Sequence, residues 1–147
     1  MTIQTILVAT DFSEQALAAA DWALSLASAL GARVIVAHVF DLPIIGFLDA
    51  SLLVDSKTAS RISDEARAAL EAEVARVRGR GVDVDGLLRQ GDARDLIPQL
   101  ATMEGAGLVV VGSHGRRGLA RALIGSVAES LVRSSSVPVA VIRRGAP

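Results

Sequence analysis

The chain has 147 residues, about one domain's worth, with 51% hydrophobic and 21% charged side chains, enough apolar surface to exclude disorder. A net charge of −1 and only 3% aromatics give neither a basic footprint nor a stacking platform for nucleic acid. Zero cysteines exclude a disulfide scaffold, a thiolate zinc site and a cysteine nucleophile. The first residues lack the basic start and apolar run of a signal peptide, and no apolar run approaches the ~20 residues that span a membrane. A single cytoplasmic domain over residues 1–147 is expected, without membrane or nucleic-acid partners.

In chain order, Thr5-Ile6-Leu7-Val8-Ala9-Thr10 reads as a strand buried on both faces. Residues 13–30 turn helical, with Leu17, Ala20, Leu24 and Ala27 on one stripe and Gly31 as the stop. Residues 33–40 form a second β-branched run. The segment from Asp41 to about Asp55 is a loop, apolar for its kind (Ile44, Ile45, Phe47, Leu48), and so suited to folding over a site or meeting a partner. A second helix is expected from about Ser60 to Arg78, ended by Gly79 and Gly81, and a third strand from Val82 to Arg89. A third helix follows from Ala93 to about Glu104, its first turns distorted by Pro98. Leu108-Val109-Val110-Val111 is the most apolar strand; a Gly/Arg-rich loop leads to a helix over about residues 126–134. A last strand closes the chain, Val137-Pro138-Val139-Ala140-Val141-Ile142.

Strict alternation of strand and helix predicts an α/β fold: a parallel, doubly wound, Rossmann-like sheet with helices on both faces. Such sheets bind ligands beyond the carboxyl ends of their strands, where the winding reverses. That selects the segments after strands one to four, and above all Gly112-Ser113-His114-Gly115-Arg116-Arg117-Gly118 through Gly125-Ser126-Val127. Glycines there admit a ligand close to backbone N–H groups. Consecutive amides form an anion nest. A helix opening at Gly125-Ser126 offers its free N–H groups to phosphate. Arg116, Arg117 and Arg121 either add positive charge or form a solvated loop face. No P-loop and no Gly-x-Gly-x-x-Gly fingerprint occurs.

Gly112-x-x-Gly115, nine residues, then Gly125-Ser126 resembles the Gly-2x-Gly-9x-Gly-Ser/Thr signature of the universal stress protein family, in its ATP-binding branch. Thr10-Asp11-Phe12-Ser13, His38-Val39 and Val137-Pro138-Val139 are similar to the family's first loop, second-strand end and last strand. The resemblance covers the whole chain. It implies five strands in the order 3-2-1-4-5, an adenine nucleotide in the cleft, and a homodimer. The site it implies comprises Thr10, Asp11, Val39, Val111, Gly112, His114, Gly115, Gly125, Ser126, Val127 and Ala128. ATP is the expected ligand, with Mg²⁺ or Mn²⁺ as companion; no residue is assigned to catalysis or to the metal.

Structural roles compete for several of these residues. Ser126 with Glu129 spells a capping box, compatible with phosphate contact. Asp11 with Glu14 spells a helix N-cap pair; towards a nucleotide, Asp11 would accept from the adenine amine or a ribose hydroxyl, or hold a metal. His38, at a strand end, reads as a core or capping histidine. Val39 offers its backbone to the adenine edge. His114 is a candidate phosphate contact, but a lone histidine is no catalytic constellation. Gly91-Asp92-Ala93 is a turn and helix cap first.

The function expected is an ATP-binding, stress-response regulatory module, with an unidentified regulatory protein as partner. The alternatives are a slow ATPase or self-phosphorylating enzyme acting at Ser113 or Ser126, and a non-binding structural dimer. Phosphoryl transfer needs metal ligands and a positioned nucleophile, and no acidic pair stands near Gly115–Ser126. The apolar last strand, a sheet edge in the implied order, would be covered in a homodimer built on residues 137–142, with Pro138 tolerated on such an edge.

Overall fold

In a computed structural model, residues 2–42, 55–114 and 124–144 are described here. Nine elements alternate: β1 (Thr5–Ala9), α1 (Glu14–Leu30), β2 (Arg33–Phe40), α2 (Ser56–Arg78), β3 (Val84–Gln90), α3 (Ala93–Met103), β4 (Leu108–Gly112), α4 (Ser126–Ser134) and β5 (Val139–Ile142). All strand pairs are parallel, in the order β3-β2-β1-β4-β5, as the resemblance implies. Central strands β1 and β4 are buried along their whole length, which is why they carry no polar alternation.

Each face of the sheet has its own core. Ile6, Val8, Val34, Val36 and Val110 pack beneath α1 and α2; Leu7, Ala9, Ala37, Val109 and Val111 pack beneath α3 and α4. Side chains alternate between the two cores because a strand has a period of two. The face of α1 turned to the sheet is almost all alanine (Ala16, Ala19, Ala20, Ala23, Ala27), so this helix approaches the strands closely. A charged clamp ties α1 to α2. Arg76 donates to both oxygens of the buried Glu73 and, at 2.8 Å, to Asp21, which also meets Arg80 at 3.0 Å. Hydrogen bonding to Glu73 holds the Arg76 guanidinium above its ordinary range.

Helix starts follow side-chain caps, and these revise several sequence expectations. Ser13, not Asp11, caps α1, its hydroxyl accepting from the Ala16 N–H. Asp55 caps α2 by accepting from Thr58 at 2.7 Å, so this helix begins four residues before Ser60. Its carboxyl is held below the ordinary carboxylate value by that backbone N–H. Asp92 caps α3, which runs continuously through Pro98. The Ser126–Glu129 capping box does not form: Gly125 occupies the N-cap with no side-chain bond, Ser126 is the first helical residue, and Glu129 pairs with Arg133 at 2.8 Å. Gly31 ends α1 at φ 67, in the left-handed region a glycine supplies. The last strand is shorter than expected, since Pro138 contributes only its carbonyl, to Val109. The apolar part of the loop expected over residues 41–55 lies outside the described residues.

Candidate functional site

The site forms where the winding reverses. The chain leaves β1 towards β2 on one side, and β4 flanks β1 on the other, which opens a crevice beyond the carboxyl ends of β1 and β4. One wall is the β1–α1 turn. Thr10 donates its N–H to the Ala37 carbonyl at 2.9 Å, extending the sheet by one bond. Its hydroxyl then accepts from Phe12 N–H, and Asp11 Oδ1 accepts from Ser13 N–H, each at 3.0 Å. These two local bonds stand in for backbone pairing and bring Phe12 to φ 64.

The opposite wall comes from β4 and α4. Gly112 ends β4, and a Cβ there would lie 2.9 Å from the Gln15 carbonyl carbon and 3.0 Å from the Gln15 Cβ and oxygen. Glycine is therefore required at this position by the close packing of α1, a reason separate from ligand access. Ser113 is buried, its hydroxyl 3.0 Å from Nδ1 of His114, and its carbonyl accepts from Gly125 N–H at 2.6 Å. That backbone bond fixes the entry to α4 against the end of β4. Gly125 brings no side-chain cap to α4, and the first residues of this helix, Ser126, Val127 and Ala128, line the crevice, where a helix start carries N–H groups without intrahelical partners.

The third wall is α3. Gly91, at φ 148, turns the chain out of β3, and its own N–H reaches the Phe40 carbonyl. Asp92 accepts from the Arg94 N–H and guanidinium at 2.7–3.1 Å. Arg94 lowers its carboxyl from 3.8 to about 2.

Together these walls enclose a cavity of ≈ 420 Å³, within the size range of small-molecule sites. Thr10, Asp11, Val39, Val111, Gly112, His114, Gly125, Ser126, Val127 and Ala128 all line it. The structure thus brings together every expected site residue but one, Gly115, which lies outside the described residues, as do Arg116, Arg117 and Arg121. The lining also includes Ala9, Ala16, Ala93 and Ile97, which sequence reasoning did not place there. Two of them were legible: Ala93 and Ile97 stand four apart, on one face of a helix. Ala16 was not, since only the docking of α1 brings it to the crevice. His38 does not line the cavity; its Nδ1 meets the Thr10 carbonyl at 2.7 Å, in keeping with a capping histidine.

Among the described lining residues the walls are mainly aliphatic and Asp11 is the sole carboxylate, and the start of α4, without a side-chain cap from Gly125, supplies a positive helix end. This arrangement suits a ligand with a flat apolar part, a hydroxyl-bearing part and an anionic part. Among the described residues, no group of three or more histidines and carboxylates could hold a metal ion, and no helix is long and apolar enough to cross a membrane.

Comparison with known proteins agrees with this geometry. Universal stress protein MJ0577 of Methanocaldococcus jannaschii is 27% identical over 95% of this chain and 94% of its own length. A solved structure of MJ0577 superimposes with a TM-score of 0.84, covering 100% of both chains. A universal stress protein in complex with cAMP aligns at a TM-score of 0.71 and 27% identity, covering 99% of this chain and 100% of its own. The universal stress protein from Archaeoglobus fulgidus in complex with dAMP aligns at 0.68 and 25%, covering 97% and 99%. The model of the universal stress protein family matches residues 2–143, and the chain belongs to that family.

Proposed function

We propose that the crevice binds ATP and that the protein is a nucleotide-dependent, stress-response regulatory module acting as a homodimer in the cytoplasm. The observation that carries this reading is that the start of α4, whose N-cap Gly125 brings no side-chain cap, lines a mainly aliphatic cavity together with Asp11 and Thr10. Val39, Val111, Ile97 and Ala93 supply the apolar slot for the base, with the Val39 backbone at the adenine edge. Asp11 accepts from a ribose hydroxyl or the adenine amine. The backbone amides of Ser126, Val127 and Ala128 face the phosphates, with Gly112, His114, Gly115 and Gly125 completing the cradle. Mg²⁺ or Mn²⁺ would enter with the triphosphate, held chiefly by phosphate oxygens and water; Asp11 would be its carboxylate only in the alternative pose where it does not meet the ribose or adenine. The relatives solved with cAMP and dAMP support an adenine nucleotide in this place.

Calorimetry with ATP tests the reading. Affinity in the micromolar range is expected, about −8 kcal/mol. Gly125 has φ −62 and ψ 157, a conformation open to any residue, but it is buried, so Gly125→Leu should abolish binding and Gly125→Ala weaken it, each read only with a cooperative melt retained. Unchanged affinity in the folded leucine variant refutes the phosphate cradle. For assembly, β5 ends the sheet and its four residues are half-buried, so a second copy meeting it about a two-fold axis would bury the rest, with residues 137–142 as the interface. Sedimentation of Val141→Asp should shift towards monomer; a wild type that stays monomeric at high concentration refutes the dimer.

A further inference from the structure

Side chains of β2 alternate between the two cores: Val34 and Val36 lie under α1 and α2, Ala37 and Val39 under α3 and α4. His38 falls on the Val34–Val36 face, with Phe12, which packs against that same core. The cavity is on the other side, where Val39 lines it. His38 is not among the described residues that line the cavity. It does touch the turn that carries ligand-facing groups.

Two contacts define this hold. Nδ1 of His38 lies 2.7 Å from the Thr10 carbonyl. A carbonyl only accepts, so Nδ1 carries the proton. The imidazole also packs on Phe12, with ring centroids 4.4 Å apart and planes at 47°. Phe12 is the one non-glycine residue with positive φ among the described residues, a conformation unfavourable for a bulky side chain and kept only where its surroundings enforce it. From this same turn Thr10 and Asp11 enter the cavity wall, and Ser13 caps α1.

We infer that His38 is a positioning residue for Asp11: from the far face of the sheet it clamps the Thr10 carbonyl and braces the left-handed Phe12, so that the cavity's carboxylate is set before any ligand enters. In its consequence for affinity, this rests on the nucleotide reading above. Preset binding groups avoid the ordering cost of arranging them on association.

The test uses the full chain with His38→Leu, His38→Phe and His38→Asn. Leucine removes both contacts, phenylalanine restores only the ring, and asparagine restores only a donor close to where Nδ1 stands. In nucleotide-free protein, backbone carbon shifts of Phe12 report its left-handed conformation, and amide exchange reports the Phe12 and Ser13 hydrogen bonds. His38→Leu should lose both signatures with a cooperative melt retained, and ATP affinity by calorimetry should fall on the order of tenfold. His38→Asn should recover most of that loss, a rescue that a simple packing role would not give. If the leucine variant does not fold, His38→Phe should show the lost Thr10 clamp as faster exchange at Phe12 and weaker ATP binding. Unchanged Phe12 shifts and exchange in the folded variants overturn the inference, as does unchanged ATP affinity despite a loosened turn. If wild type binds no ATP while the leucine variant loosens the turn and asparagine restores it, the positioning role stands and the nucleotide reading alone fails.

Discussion

Gly112 offers a sharp test of how the site is built, because its glycine has two competing reasons. Were it needed only so that a ligand could approach the backbone, a methyl group would weaken binding and leave stability alone. The structure says otherwise: the added carbon would sit 2.9 Å from the Gln15 carbonyl carbon and 3.0 Å from its oxygen and Cβ. Two of those atoms are helix backbone and cannot rotate away, so α1 must retreat from β4 by several tenths of an ångström. Overpacking of this kind costs roughly 1–3 kcal/mol. For a chain of this length each kcal/mol lowers Tm by about 2–4 °C, so Gly112→Ala should melt roughly 2–12 °C below wild type. Because Ala16 and Val111 belong to the displaced elements and line the cavity, ATP affinity should fall as well. Gly79→Ala is the control: it has φ −64 and a nearest neighbour at 3.8 Å, and should be neutral or stabilising by about 0.4–1 kcal/mol. Calorimetric melts of the three proteins decide the matter. A Gly112→Ala melt coincident with wild type refutes the packing argument and returns Gly112 to a ligand-only role.

Arg76→Ala should cost about 2–3 kcal/mol by chemical denaturation, since it strands the buried Glu73 carboxylate; this lies below the ~3–5 kcal/mol of a fully buried pair because the guanidinium is partly exposed. A cost no larger than that of Arg80→Ala refutes the clamp. Asp92 should titrate by NMR near 2, with its value restored towards 3.8 in Arg94→Ala. A depressed carboxylate stabilises the fold fully above its unfolded value, and that contribution is lost as pH falls from about 3.8 through about 2. A wild-type midpoint near 3.8 would deny the Asp92–Arg94 pairing. Any ATP turnover should lie far below the ~1–100 s⁻¹ of kinases, because Asp11 is the sole carboxylate among the described lining residues. A rate inside that range, abolished in Asp11→Ala, would make the protein an enzyme.

The alternation of apolar strands with amphipathic helices was enough to determine the fold class, because burial on both faces of a parallel sheet leaves runs such as Ile6-Leu7-Val8 and Val109-Val110-Val111 with no other reading. The spacing of Gly112, Gly125 and Ser126 likewise picked out residues that line the cavity. The exchanged roles escaped the sequence. Asp11, Ser13, Ser126 and Glu129 are all competent cap residues, and the choice of Ser13 and Gly125 depends on where each backbone turns, which β1 and β4 fix through contacts with residues far along the chain. Gly112 looked like a ligand glycine until the docking of an alanine-faced α1 brought Gln15 against it. Ala16 and Ile97 line one crevice only because the sheet brings α1 and α3, far apart in the chain, to its rim. His38 shows the limit most clearly: its period-two position gives its face, but its hold on Thr10 joins residues 28 apart, a proximity set by the register of β1 against β2. Local pattern records which surfaces must be buried; which side chains then share a crevice is decided by the packing that buries them.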